Sequence, residues 1–211
     1  ADDIYREDYL DVILAAMVSR PDVWLACCNA NIIDEKSTEK FSIKNVIKKR
    51  MSASQNEGYV GYNGLKWISD YNKIIAPTVM YRREVIDNVG KYNPDLKFTL
   101  DWEYYFRTLV SGGVILHINE VLFNYRIHSK QQTAALVASM DKYHEMYSLL
   151  KSIHSHITEN YEGVKLYKYR YFIYTIFVDL LSDVVSMQFS SASKKFRFVF
   201  KLLGDIFGES G

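Results

Sequence analysis

Apolar positions recur in two rhythms along the chain, and the changes of rhythm mark its elements. Between Arg6 and Ser19, Tyr9, Leu10, Ile13, Leu14 and Met17 fall at i, i+1, i+4, i+5 and i+8. That is one stripe of a helix, which Pro21 closes. Val23 to Ile33, VWLACCNANII, is apolar and partly β-branched, the pattern of a largely buried strand. Alternation along it sends the side chains of Cys27 and Cys28 to opposite faces. From Asp34 to Tyr71 charge, Ser, Asn and Gly break the rhythm, as in a long irregular insertion or a lid. Ile74 to Tyr81 is expected as a second strand with Pro77 at an edge or bulge. Arg83 to Val89 follows as a short helix ended by Gly90, and Tyr92 to Asp95 as a turn. Val114 to Ile127 is a strand, or a hairpin bent at Asn119-Glu120. Helix and strand alternate up to about His128, which predicts an α/β layer architecture.

The stretch Phe98 to Arg107, FTLDWEYYFR, brings two carboxylates to the start of an amphipathic helix. Leu100, Tyr104 and Leu109 face a core at helical spacing, Asp101 stands where an N-cap would, and Gly112-Gly113 supplies the stop. The residues themselves leave two roles open for Asp101. It can accept bonds from the free N–H groups of the first turn, or it can serve as a general base at the mouth of a cleft.

Beyond Ser129 the rhythm becomes purely helical. Leu136, Met140, Tyr143, Tyr147 and Leu150 alternate steps of four and three, the packing stripe of a long helix. A second helix is expected from about Val164 to Phe189 and a third from about Ser193 to Phe207. Seven basic residues between Gly163 and Phe207 stand against three acidic ones. Such a tail can lie on an anionic membrane surface or pack as an ordinary appendage. The aromatic second helix is equally open to serving as core or as a homodimer interface.

Composition adds limits. The 211 residues carry 48% hydrophobic and 24% charged side chains, the balance of an ordered globular chain. A net charge of +1 gives no case for nucleic acid. Seventeen tyrosines point to half-buried or sugar-facing surfaces without choosing between them. Two adjacent cysteines make neither a disulfide nor a metal pair, and free thiols fit a reducing, cytoplasmic compartment. There is no run of 18 apolar residues, and no Walker-type or glycine-rich dinucleotide loop. A chain opening Ala1-Asp2-Asp3, without Met, is expected to lack an N-terminal portion.

Three clusters can carry chemistry: Asp2-Asp3, Asp101 with Glu103, and His128 after Tyr125-Arg126-Ile127. Adjacent aspartates on a loop suit a hard divalent cation whose shell a ligand's phosphates complete. Taken in order, Asp2-Asp3 before a helix, a strand ending Ile33-Asp34, Pro77 to Arg83 with Gly90 and Tyr92, Leu100-Asp101-Trp102-Glu103 with Arg107 and Gly112, and Tyr125 to His128 resemble the second half of an inverting glycosyltransferase of family 2. The resemblance covers roughly residues 1 to 134.

It implies a GT-A fold, a Rossmann-like mixed sheet, for residues 1–133 and a helical C-terminal appendage for 134–211. It implies Asp101 as catalytic base. Asp3, assisted by Asp2, becomes the ligand of Mg2+ or Mn2+ bridging the diphosphate, and His128 approaches that metal or the diphosphate. Arg126 becomes a phosphate contact, and Trp102, Glu103 and Thr78 candidates for the acceptor site. The substrates implied are a UDP- or GDP-linked sugar and a glycan or lipid-linked acceptor, handled at the inner face of a membrane in synthesis of a bacterial-type surface polysaccharide or glycoconjugate. The chemistry suits the residue types. Inversion needs a carboxylate to take the acceptor's proton and a cation to neutralise the departing diphosphate. Leu100 stands where the family usually has an acid before its base, and the family's nucleotide-holding portion is absent, so this stretch alone is expected to turn over little. An inactive binding or assembly module with a docking tail is the alternative. A metal-dependent hydrolase using Asp3, Asp101 and His128 ranks third, since no second ligand pair accompanies them.

Overall fold

The computed structural model describes residues 2–39, 57–127, 140–162 and 169–208, with side chains through Asp205. His128 and Leu136 lie outside the described residues, as does residues 40–56 of the expected insertion. The elements in chain order are β1 (Ile4–Tyr5), α1 (Tyr9–Ser19), β2 (Val23–Ile33), β3 (Glu57–Tyr59), α2 (Gly61–Ile68), β4 (Met80–Tyr81), α3 (Arg83–Val89), α4 (Leu100–Val110), β5 (Val114–Arg126), α5 (Asp141–Asn160), α6 (Arg170–Val185) and α7 (Phe189–Gly208). The fold is α/β with a mixed sheet.

The sheet runs β1-β5-β2-β4. Its centre is the parallel pair β2 and β5; β1, β3 and β4 join antiparallel. Valine, isoleucine and cysteine on β2 suit a central strand buried on both faces. Cys27 belongs to the core on one face and Cys28 to the core on the other, as alternation requires. Burial raises both thiols, Cys28 to about 11. Of the two readings of Val114–Ile127, strand or hairpin, the strand is found, and its register against β2 skips Asn119 and Glu120. Asn29 Nδ2 donates to Asn119 Oδ1 at 2.8 Å across this bulge.

One face is covered by α1, which buries Tyr9, Ile13 and Met17, while Leu10 and Leu14 of the expected stripe stay exposed. On the other face a single core joins Leu25, Leu65, Trp102 and Tyr105 to Tyr143, Leu150, Ile153, Phe172 and Ile176 of the helical tail. The tail is therefore a packed layer of the same body. Truncating Ile153 in that core should cost roughly 2–5 kcal/mol.

Two expectations change. The end of the irregular insertion forms β3 and α2, and α2 buries Leu65, Trp67 and Ile68 because its own apolar spacing is helical. Only Met80–Tyr81 of the second expected strand pairs; Pro77 lies in a 3-10 turn over Ala76–Thr78, where its missing N–H costs nothing. The stop after α4 behaves as expected. Gly112 takes φ +84°, and a Cβ on Gly113 would strike the Trp24 ring.

Candidate active site

Helix α4 begins two residues earlier than its N-cap pattern suggests: Thr99 is the cap residue and Asp101 lies inside the first turn. What ties down the loop ahead of it comes from the tail. Glu145 of α5 accepts the backbone N–H groups of Lys97 (3.1 Å), Phe98 (2.9 Å) and Thr99 (3.2 Å), and its Oε2 lies 3.4 Å from Thr99 Oγ1. A distant carboxylate thus meets donors that a helix start leaves open. The first-turn N–H of Trp102 is left to Asp101 itself.

The Asp101 carboxylate is half-buried. Its Oδ1 accepts the Trp102 N–H at 2.8 Å and its Oδ2 accepts Asn72 Nδ2 at 2.9 Å. Asn72 Oδ1 accepts the Ile74 N–H at 3.1 Å, so its amide cannot rotate without losing that bond. Burial raises the Asp101 pKa, and the bonds from Trp102 and Asn72 offset only part of that rise. None of the groups acting on it is cationic. Around it lie three tyrosines whose hydroxyls its charge helps keep protonated, after burial has done most of that work: Tyr81, Tyr92 and Tyr105. The Tyr81 and Tyr92 oxygens are 2.6 Å apart. Tyr105 is fully buried, and its hydroxyl has no hydrogen-bond partner among the described residues. A carboxylate with a raised pKa among neutral hydroxyls can accept a proton from an alcohol.

The three acceptor-site candidates are otherwise engaged. Trp102 is 2% exposed and donates its indole N–H to Ile68 O at 3.0 Å, because this face of α4 packs on α2. Glu103 is paired with Arg107, whose guanidinium also reaches the carbonyls of Val89 and Lys91. Thr78 is fully buried, its hydroxyl donating to Ile75 O at 2.7 Å. Thr78 and Trp102 are therefore buried parts of the core with their polar groups in use.

Asp2 and Asp3 enter β1 beside the end of β5. Asp3 Oδ1 accepts the Arg126 N–H at 2.9 Å, Arg126 Nε donates to Asp2 O at 2.8 Å, and its Nη groups reach Asp34 O and Ser37 Oγ. Arg126 thus staples the exits of β2 and β5 to the start of the chain. Among the described residues no group of three His, Cys, Asp or Glu side chains could hold a metal ion. Two adjacent carboxylates, one of them already accepting the Arg126 N–H, fit Mg2+ only as a partial shell, the kind in which phosphates and water supply the remaining ligands.

The run from Asn72 to Tyr81 links the two acidic sites. Asn72 holds Asp101, while the Pro77 carbonyl accepts Tyr5 OH at 2.9 Å and the Thr78 carbonyl accepts Tyr9 OH at 3.0 Å. Sequence reasoning missed Asn72, Tyr81, Tyr92, Tyr105 and Glu145. Tyr81 and Tyr92 stood inside the stretches that carry the resemblance and Tyr105 inside Phe98 to Arg107, but no local pattern marked any of them as a neighbour of Asp101. Neither a family model nor a curated protein matches this chain.

Proposed function

We propose that this chain carries the acceptor and metal side of an inverting, metal-dependent glycosyltransferase of the GT-A type, moving a sugar from a UDP- or GDP-linked donor to a hydroxyl of a glycan or lipid-linked acceptor. The observation that supports it is Asp101, a half-buried carboxylate held by two neutral donors, with no cationic partner among the groups that shift its pKa and with tyrosine hydroxyls around it. A carboxylate kept only for stability gains from a cation or from several N–H groups, and here Glu145 fills the latter role. The mixed sheet with a parallel central pair suits the GT-A reading. A role in bacterial-type surface polysaccharide or glycoconjugate synthesis rests on the family resemblance alone.

In this mechanism Asp101 takes the proton of the acceptor hydroxyl as that oxygen attacks the anomeric carbon, and Asn72 fixes which carboxylate oxygen faces the acceptor. Asp3 and Asp2 would hold Mg2+ or Mn2+, which supplies neutralisation of the leaving diphosphate. Arg126 keeps the two aspartates in place through its N–H to Asp3 and its Nε to the Asp2 carbonyl, and its charge would lie beside a diphosphate held there.

The test is calorimetric binding of UDP and GDP with and without Mn2+, followed by transfer to a hydroxyl acceptor. Weak, Mn2+-dependent nucleotide binding that Asp3→Ala abolishes and Asp101→Asn preserves is the expected result, with transfer lost in Asp101→Asn. A nucleotide affinity that Mn2+ and Asp3→Ala both leave unchanged overturns the reading. It would leave the second one, an inactive docking module, which the exposed apolar surface of α6 and α7 favours.

A further inference from the structure

Helix α7 presents two different rows to solvent. Phe189, Phe196 and Phe200, spaced i, i+7 and i+11, share one side and are 65%, 55% and 61% exposed. The Phe196 and Phe200 rings touch, with centroids 4.7 Å apart. The adjoining side, about 100° round the helix, carries Lys194, Arg197 and Lys201, all exposed. The inner side is set by Ala192, Lys195 and Leu202, and Lys195 is locked to Asp183 of α6 at 2.7 Å. So the orientation of α7 is anchored, and the phenylalanines face outward because the inner face is already occupied. At the α6–α7 turn Val185 and Met187 are 84% and 79% exposed, which extends the apolar surface beyond the helix. No helix among the described residues is long and apolar enough to cross a membrane.

We infer that α7 and the turn before it lie in the surface of an anionic lipid bilayer, the phenylalanine row entering the acyl boundary and Lys194, Arg197 and Lys201 meeting lipid phosphates. An apolar row beside a basic row is the arrangement an interfacial helix needs. The charges select lipid over a second copy of the chain. In a two-fold pair the same patch faces itself, and against the three basic side chains the row carries a single acidic one, Asp205 at its far end, so the paired rows would repel. The inference rests on this surface and not on sugar transfer; a vesicle assay reads no turnover, so either proposal can fail alone.

The experiment is co-sedimentation of the whole chain with phosphatidylcholine vesicles, with and without phosphatidylglycerol, beside light scattering for mass. Binding is expected only to the anionic vesicles and should fall with added salt. The triple variant Lys194→Gln, Arg197→Gln, Lys201→Gln should bind roughly a hundredfold more weakly, and Phe196→Ser with Phe200→Ser at least about tenfold more weakly. All five positions are exposed, and an unchanged melting temperature confirms that the variants fold. The proposal is overturned if the wild-type chain stays in the supernatant with anionic vesicles, if either variant binds as the wild type does, or if the chain is a dimer that the phenylalanine variant splits.

Discussion

Two carboxylates in this molecule are taken out of water in opposite ways. Asp183 sits on α6 against Lys195 of α7, both buried, with nitrogen and oxygen 2.7 Å apart. Burial raises its pKa, but the hydrogen bonds from Lys195 and Ser191 together with the Lys195 charge outweigh that and hold it below the usual value. Asp101 has two neutral donors, no cation among the groups that shift its pKa, and a raised pKa. The first arrangement compensates a charge and orients a helix; the second leaves a charge under-compensated. Such a residue is a candidate for work on a ligand, since selection for stability alone would have supplied a partner.

The comparison can be broken first at its stable end. Asp183→Ala strands a buried ammonium and should lower the unfolding free energy by about 3 kcal/mol, read by urea denaturation, whereas Asp183→Leu with Lys195→Met together should cost much less. Equal losses for the single and double changes would show that packing, not charge pairing, dominates there. Next comes Glu145→Ala, which removes the acceptor for three N–H groups of the loop before α4 and should cost about 2 kcal/mol. If transfer activity is present, it should fall with it, because that loop carries Asp101.

Asp101→Asn should separate function from stability. It removes an under-compensated charge but gives an amide that can satisfy only one of Trp102 N–H and Asn72 Nδ2. The two effects oppose each other, so stability should stay within about 1 kcal/mol, while turnover drops by roughly two orders of magnitude or more. A loss of stability without loss of turnover would return Asp101 to the role of a helix-start acceptor.

The smallest effect is in pH. Asp183, with its folded pKa lowered, contributes stability that is present above the unfolded value of 3.8 and is lost as pH falls through the folded pKa. Asp101, with its folded pKa raised, does the reverse: the native state holds the extra proton, so its contribution declines as pH rises from 3.8 through the folded value. Stability against pH for the wild type and for Asp101→Asn should therefore differ above pH 3.8 by a curve that favours the variant increasingly up to the folded pKa and then runs level. A parallel pair of curves would refute the raised pKa.

Much of the scaffold was legible because it depends on local repeats. β2 and α3 occur with the expected bounds, α1, α4 and β5 lie within a few residues of theirs, and the opposite faces of Cys27 and Cys28 follow from alternation alone. α2 was hidden because GYNGLKWI is short and opens on glycine, and it is held by packing on α4, α5 and β3. The site was legible only in part. Asp101 announced itself by its place at a helix start, but its partner Asn72 comes from 29 residues away, and Glu145, which holds the loop before it, comes from the α5 layer.

By itself, then, the order of residues determined where helices and strands begin, which faces are apolar, and that Asp101 and Asp3 are carboxylates at element ends, since these follow from the 3.6- and 2-residue periods and from turn chemistry. Only the tertiary structure decided that Glu145 takes over the loop before α4, that Trp102 and Thr78 are buried parts of the core, and that the phenylalanine row of α7 is left outside. Each of these depends on which surface another element has already covered, and a local pattern carries no record of that.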